Sequence, residues 1–119
     1  MKIFENELVY IQKEESEIPW LKIFTKKVCK EFSDCEKETR EEIFRLLYLI
    51  EKEMIEYYRP EKINIASFGN YLPQVHFHIM ARFKNDSFFP EPVWGKRQRE
   101  AKLELPSFEG FVKRLNAVL

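Results

Sequence analysis

Net charge is missing from this sequence: 20 lysines and arginines offset 20 aspartates and glutamates. The long-range positive field by which a general nucleic-acid binder gathers a polyanion is therefore not expected, although a small local basic patch remains open. Long apolar runs are missing too. Nothing approaches the ~20 consecutive apolar residues needed to cross a bilayer. Met1-Lys2-Ile3-Phe4-Glu5-Asn6-Glu7 carries acids where a signal peptide needs its apolar core. A cytoplasmic protein with no membrane partner is the expectation. Cysteine is limited to two residues, Cys29 and Cys35. A Cys-x5-Cys pair without a nearby histidine is a poor zinc signature, and a disulfide would be an odd use of a cytoplasmic loop. Two reduced thiols are expected. Repeats, low-complexity tracts and Gly/Ser linkers are also absent, and a chain of 119 residues supports one core. Residues 1–119 are therefore read as a single domain.

What is present alternates between strand and helix signals. Leu8 to Ile11 is a short β-prone run, and Trp20 to Thr25 is a second, rich in branched and aromatic residues. The polar connection from Lys13 to Pro19 suits a turn between two antiparallel neighbours. Ser33-Asp34-Cys35-Glu36 matches a capping box and predicts a long helix, ended near Arg59 by Pro60. Ile43, Leu46, Leu47, Ile50, Met54 and Tyr57 form its apolar stripe. Phe44, Tyr48 and Ile55 widen the stripe beyond what one sheet needs, which fits either extra core or a subunit interface. Lys62 to Ser67 reads as a strand, the turn-forming Gly69-Asn70 follows, and Gln74 to Phe83 is the clearest strand of all. Two prolines keep Phe89 to Gly95 out of any sheet interior. Ser107 to Leu119 reads as a final helix, with Phe111, Val112, Leu115 and Val118 at helical spacing and Ser107 as its cap.

Successive side chains of a strand point to opposite faces. Val75, Phe77, Ile79, Ala81 and Phe83 share one face, which is apolar throughout and should pack on the core. Gln74, His76, His78, Met80 and Arg82 share the other, which should point away. Both histidines of the chain lie on that second face. A single histidine there would be read as structural; two in register, with an arginine beyond, suggest chemistry. A neutral imidazole has a free lone pair for attack on phosphorus. A second imidazole can donate to phosphate oxygens, and Arg82 can neutralise the charge that builds up in transfer. His-x-His is also a two-ligand metal arrangement, but a carboxylate from elsewhere would have to supply the third ligand.

Gln74-Val75-His76-Phe77-His78-Ile79-Met80 resembles the signature of the histidine-triad (HIT) family, His-φ-His-φ-His-φ-φ with φ apolar, except that glutamine stands for the first histidine. Ile63-Asn64-Ile65-Ala66 resembles the strand before that family's active-site loop, and Gly69-Asn70-Tyr71-Leu72-Pro73 the segment leading into the triad. Ala81-Arg82-Phe83 and Pro92-Val93-Trp94-Gly95 look like a bacterial branch carrying the same glutamine. The likeness covers roughly Phe4 to Gly95.

The resemblance implies an α+β fold: an antiparallel β-sheet with one long helix packed on it and a C-terminal helix, working as a homodimer; no cofactor or metal is expected. It implies an enzyme acting on a nucleotide or dinucleotide, such as a dinucleoside polyphosphate or a nucleoside phosphoramidate. By position His76 would attack the α-phosphorus to form a nucleotidyl-histidine, and His78 would contact the phosphate or leaving group. Gln74 would stand where a histidine helps orient the nucleophile; an amide can hydrogen-bond but cannot titrate. Asn64 would lie near the nucleotide, and Asn70 and Tyr71 near its phosphates. The loop after Asn64 is short, the Pro-Gly-His run is missing, and Thr25-Lys26-Lys27 replaces a Pro-Lys-x-His segment. A less enclosed pocket follows, as does the alternative of a nucleotide-binding or interaction module with little catalytic activity. Lys26 and Lys27 are either a source of charge for a polyphosphate or a solvated turn.

Overall fold

A computed structural model describes residues 1–119. Its sheet has five strands, all paired antiparallel: β1 (Lys2–Glu5), β2 (Val9–Lys13), β3 (Trp20–Thr25), β4 (Lys62–Ala66) and β5 (His76–Arg82). They lie side by side in the order β1-β2-β3-β5-β4. Alternation decides which face is core. Val9, Ile11, Leu21, Ile23 and Ile79 are fully buried, and each contributes on the order of 1.5–3 kcal/mol when taken from water. The predicted α+β architecture is the one observed. The histidine strand is interior to the sheet, flanked by β3 and β4, so its backbone is paired on both edges. The short N-terminal strand β1 lacks a periodic apolar pattern and had no clear signal of its own.

Between β3 and β4 runs helix α1 (Lys37–Tyr58). Its start differs from expectation. Ser33 does not cap it; Phe32–Asp34 forms one separate 3-10 turn, in which the Asp34 carboxylate accepts the Glu31 N–H at 3.1 Å. The helix begins behind Glu36 with no side-chain cap. The Asp34 carboxylate closes a box on Glu31, two residues ahead of the Ser33 box, and Cys35 is buried between the two elements. The end is as expected: Arg59 turns left-handed at φ 50°, its N–H reaches the Ile55 carbonyl at 3.1 Å, and Pro60 follows.

Ile43, Leu46, Leu47, Ile50 and Met54 are buried beneath the sheet, and Tyr58 rather than Tyr57 completes the row. Tyr57 instead donates its hydroxyl hydrogen to the Ser107 carbonyl at 2.8 Å. Phe44, Tyr48 and Ile55 stay 55%, 59% and 48% exposed, so the wide stripe is not extra core within one chain. Helix α2 (Phe108–Asn116) is capped as predicted by Ser107, whose oxygen accepts the Gly110 N–H at 3.1 Å. Phe111 and Leu115 are buried, whereas Val118 is exposed. Gly110 allows a close approach: a Cβ there would meet the Tyr57 hydroxyl at 2.3 Å and displace it. Neither helix is long and apolar enough to cross a membrane.

The second face of β5 is not open, contrary to expectation. The chain after it folds back, held by a buried ion pair in which Arg82 donates from Nε and Nη2 to the two Asp86 oxygens at 2.9 and 3.0 Å. Asp86 also accepts the N–H groups of Phe83, Phe88 and Phe89. This brings residues 87–95 across the sheet and sets Trp94 against His78.

Candidate functional site

The strand pattern of β5 starts at His76, not at Gln74. Gln74 lies in a bend where its N–H binds the Leu72 carbonyl at 2.7 Å, and Val75 N–H binds the Cys29 carbonyl at 2.7 Å. Gln74 therefore falls outside the alternation that groups the histidines. Its carbonyl oxygen nevertheless meets His76 Nδ1 at 2.8 Å. A carbonyl can only accept, so Nδ1 carries the proton. In the neutral ring the lone pair is then left on Nε2. The ring is held flat against Phe24 of β3, with centroids 5.0 Å apart and planes 14° apart, and Phe24 in turn stacks on Tyr10 of β2 at 5.2 Å. These contacts follow from register, which sets Phe24 opposite His76.

His78 is held in the opposite tautomer. The Trp20 indole N–H donates to His78 Nδ1 at 3.0 Å, and indole is a donor only, so the His78 proton sits on Nε2. Burial, aided by His76 and Lys22 and opposed by Glu14, pushes its pKa from 6.5 down to about 4. His78 is thus an uncharged hydrogen-bond donor. The two imidazole centroids are 5.1 Å apart at 68°. With His76 neutral the pair presents one bare nitrogen and one N–H, a combination suited to attack on a phosphoryl group.

Both histidines line a cavity of about 310 Å³ together with Phe68, Asn70, Tyr71 and Trp94. Trp94 packs edge-on to His78, Trp20 and Phe68, with centroids 5.0, 5.4 and 4.9 Å apart. The loop wall turns at Gly69, whose φ of +82° favours glycine. Asn70 and Tyr71, expected near the phosphates, are brought to this cavity, with Tyr71 fully exposed.

Arg82 and Asn64 are not. Arg82 is 1% exposed; beyond its two bonds to Asp86 it donates to Asn64 Oδ1 at 2.9 Å and to the Glu91 carbonyl at 2.8 Å. Alternation put Arg82 on the histidine face, but the fold of the following segment supplied its counterion. Burial works to raise the Asp86 pKa, but Arg82 and the Phe83, Phe89 and Phe88 amides outweigh it and hold it at about 2. Asn64 lines a separate groove behind Trp94 with Met80 and Pro92. Lys26 and Lys27 are paired with Glu5 and Glu36 at 2.6 and 2.9 Å. No three His, Cys, Asp or Glu side chains stand where they could hold a metal ion.

Sequence reasoning gave no site role to Trp20, Lys22, Phe24, Phe68 or Trp94. Lys22 pairs with His78 across β3 and β5, and its Nζ lies 2.6 Å from Glu14 Oε1. The alternation of β3 would group Trp20, Lys22 and Phe24, but only the pairing shows what they face.

Comparison with known proteins agrees with this geometry. The family model of the HIT domain matches residues 1–85. A histidine triad protein from Bradyrhizobium japonicum is 26% identical, with a TM-score of 0.80 over 98% of this chain and 88% of that one. A histidine triad (HIT) protein from Sinorhizobium meliloti 1021 is likewise 26% identical, with a TM-score of 0.79 over 100% of this chain and 89% of its own. A hypothetical histidine triad nucleotide-binding protein from Sulfolobus tokodaii shares the fold at 15% identity, with a TM-score of 0.60 over 98% of this chain and 78% of that one. No curated protein matches the sequence.

Proposed function

The chain belongs to the HIT-domain family, and from that premise we propose that it is a nucleotidyl hydrolase or transferase in which His76 is the nucleophile. The observation that carries the reading is the 2.8 Å contact between His76 Nδ1 and the Gln74 carbonyl, which leaves Nε2 with the lone pair. In the first step Nε2 attacks the α-phosphorus of a dinucleoside polyphosphate or nucleoside phosphoramidate. A P–N bond forms, and the bond to the leaving group breaks with its electron pair, a polyphosphate leaving as its anion and an amine taking up a proton from solvent. The His78 Nε2–H donates to a phosphate oxygen, which stabilises the charge that develops there. Water then attacks the same phosphorus. The P–N pair returns to Nε2, one water proton passes to solvent, and the nucleoside monophosphate leaves.

Asn70 and Tyr71, on the cavity wall, are the proposed phosphate-side contacts. Gln74 acts through its main-chain oxygen. Arg82 and Asn64 are left out of the substrate contacts, because their polar atoms face each other and Asp86. The working form is proposed to be a cytoplasmic homodimer of the single domain; the exposed Phe44, Tyr48 and Ile55 support an apolar contact between copies.

Intact-mass analysis after mixing with a panel of nucleotide anhydrides and amidates tests the reading. An adduct of one nucleotidyl group is expected in the native protein, absent in His76→Ala, whose turnover should fall by at least about a thousandfold. Nucleotide binding with neither adduct nor monophosphate release would overturn catalysis in favour of a binding module.

A further inference from the structure

We propose that Lys22 supplies the positive charge that the substrate's phosphates meet beside the histidine pair, with Glu14 as the counterion they loosen. This rests on the nucleotide-phosphate reading above and adds to it a residue and a preference for higher phosphate charge. Register is the first ground. Lys22 is directly opposite His78, and cross-strand partners share a face with Cβ atoms ~5 Å apart. The position of the ammonium is the second. Lys22 Nζ sits 2.6 Å from Glu14 Oε1 and 5.6 Å from the centre of the Phe24 ring, the ring that stacks on His76. It is therefore one aromatic ring away from the proposed nucleophile.

The fate of the other cations is the third ground. Arg82 is sealed against Asp86, and Lys26 and Lys27, beyond the end of β3, are tied to Glu5 and Glu36. His78 itself brings no charge, since its surroundings hold it neutral. Lys22 is paired too, but it is the cation that strand pairing sets opposite His78, so a phosphate chain entering there competes with Glu14 for its ammonium. An ammonium has three donors in no fixed plane, so it can turn from a carboxylate to a phosphate oxygen without rebuilding the site. Its side chain is partly withdrawn from water, so the exchange is screened less than at an open surface.

The test measures equilibrium binding by calorimetry in the full chain carrying His76→Asn, which stops turnover. The probes are adenosine, AMP and ATP, with guanosine, GMP and GTP alongside. Lys22→Met should weaken the triphosphate about tenfold and the monophosphate less, leave the nucleoside unchanged, and flatten the salt dependence. Lys22→Arg should recover most of the loss. Glu14→Gln should act in the opposite direction and tighten the triphosphate. If the pair were merely structural, both neutral variants would lower the melting temperature and leave the ranking by phosphate count unchanged; that result overturns the proposal. Equal loss for nucleoside and triphosphate would make Lys22 a base contact and overturn it too. A native protein that forms the His76 adduct while Lys22→Met binds as well as its parent overturns the role of Lys22 alone. Failure of every probe to bind the parent, with no adduct in the native protein, overturns the nucleotide reading with it.

Discussion

A histidine that attacks phosphorus needs one ring nitrogen tied down and the other bare. Here the tie is the main-chain oxygen of Gln74, which any residue at that position would supply. Gln74→Ala is therefore expected to keep kcat within roughly threefold of the native value, measured by steady-state monophosphate release. A loss of several hundredfold would show that the side-chain amide orients the nucleophile instead. His78 is tied from the other side by Trp20, and its pKa of about 4 lies below the ordinary 6.5. The native state thus disfavours the proton that the unfolded chain accepts first. The contribution is fully present above pH 6.5 and is lost as the pH falls towards 4. Urea unfolding across that window should show stability rising with pH, with a shallower slope in His78→Gln. An NMR titration should find His78 neutral throughout the range from about pH 5 to 8.

At the scale of elements, the segment that follows β5 shapes the site as much as the strand itself. Arg82 and Asp86 anchor it at one end, and Glu17, between β2 and β3, accepts both the N–H and the hydroxyl of Ser87 at 2.8 and 3.0 Å. Trp94 thereby reaches its contact with His78 and Trp20. Asp86→Asn leaves a buried guanidinium without its charge partner and should cost about 3–5 kcal/mol, read by chemical denaturation. The Trp94 environment should loosen with it, visible as a shift in tryptophan emission. A change under about 0.5 kcal/mol would mean that water readily replaces the pair. The strand pattern correctly assigned Arg82 a face. It could not assign the partner, because Asp86 lies in a loop with no periodicity.

Across the whole molecule, the apolar surface left on α1 is the feature one chain does not satisfy. Phe44, Tyr48 and Ile55 are each about half exposed or more, at 55%, 59% and 48%. Large apolar side chains gathered on one helix favour association. Sedimentation should report a dimer, and Tyr48→Glu should shift it to monomer while the far-ultraviolet spectrum stays native. A native protein that sediments as a monomer at micromolar concentration would remove the dimer from the proposal.

Local chemistry made much of this protein legible in its sequence. Alternation alone separated the core face of β5 from the face bearing both histidines, and helical spacing identified most of the buried row of α1. Ser107 and Pro60 marked two helix boundaries because caps and breakers act on near neighbours. Tertiary structure decided the rest. The β3–β5 pairing brought Trp20, Lys22 and Phe24 beside the histidines, and the return of the chain after β5 gave Arg82 to Asp86 rather than to a ligand. A strand's own residues dictate its two faces; its neighbours are chosen by packing over the whole chain, where many distant pairings compete. The strand with the two histidines could therefore be read in the sequence, and the nitrogen each presents only in the fold.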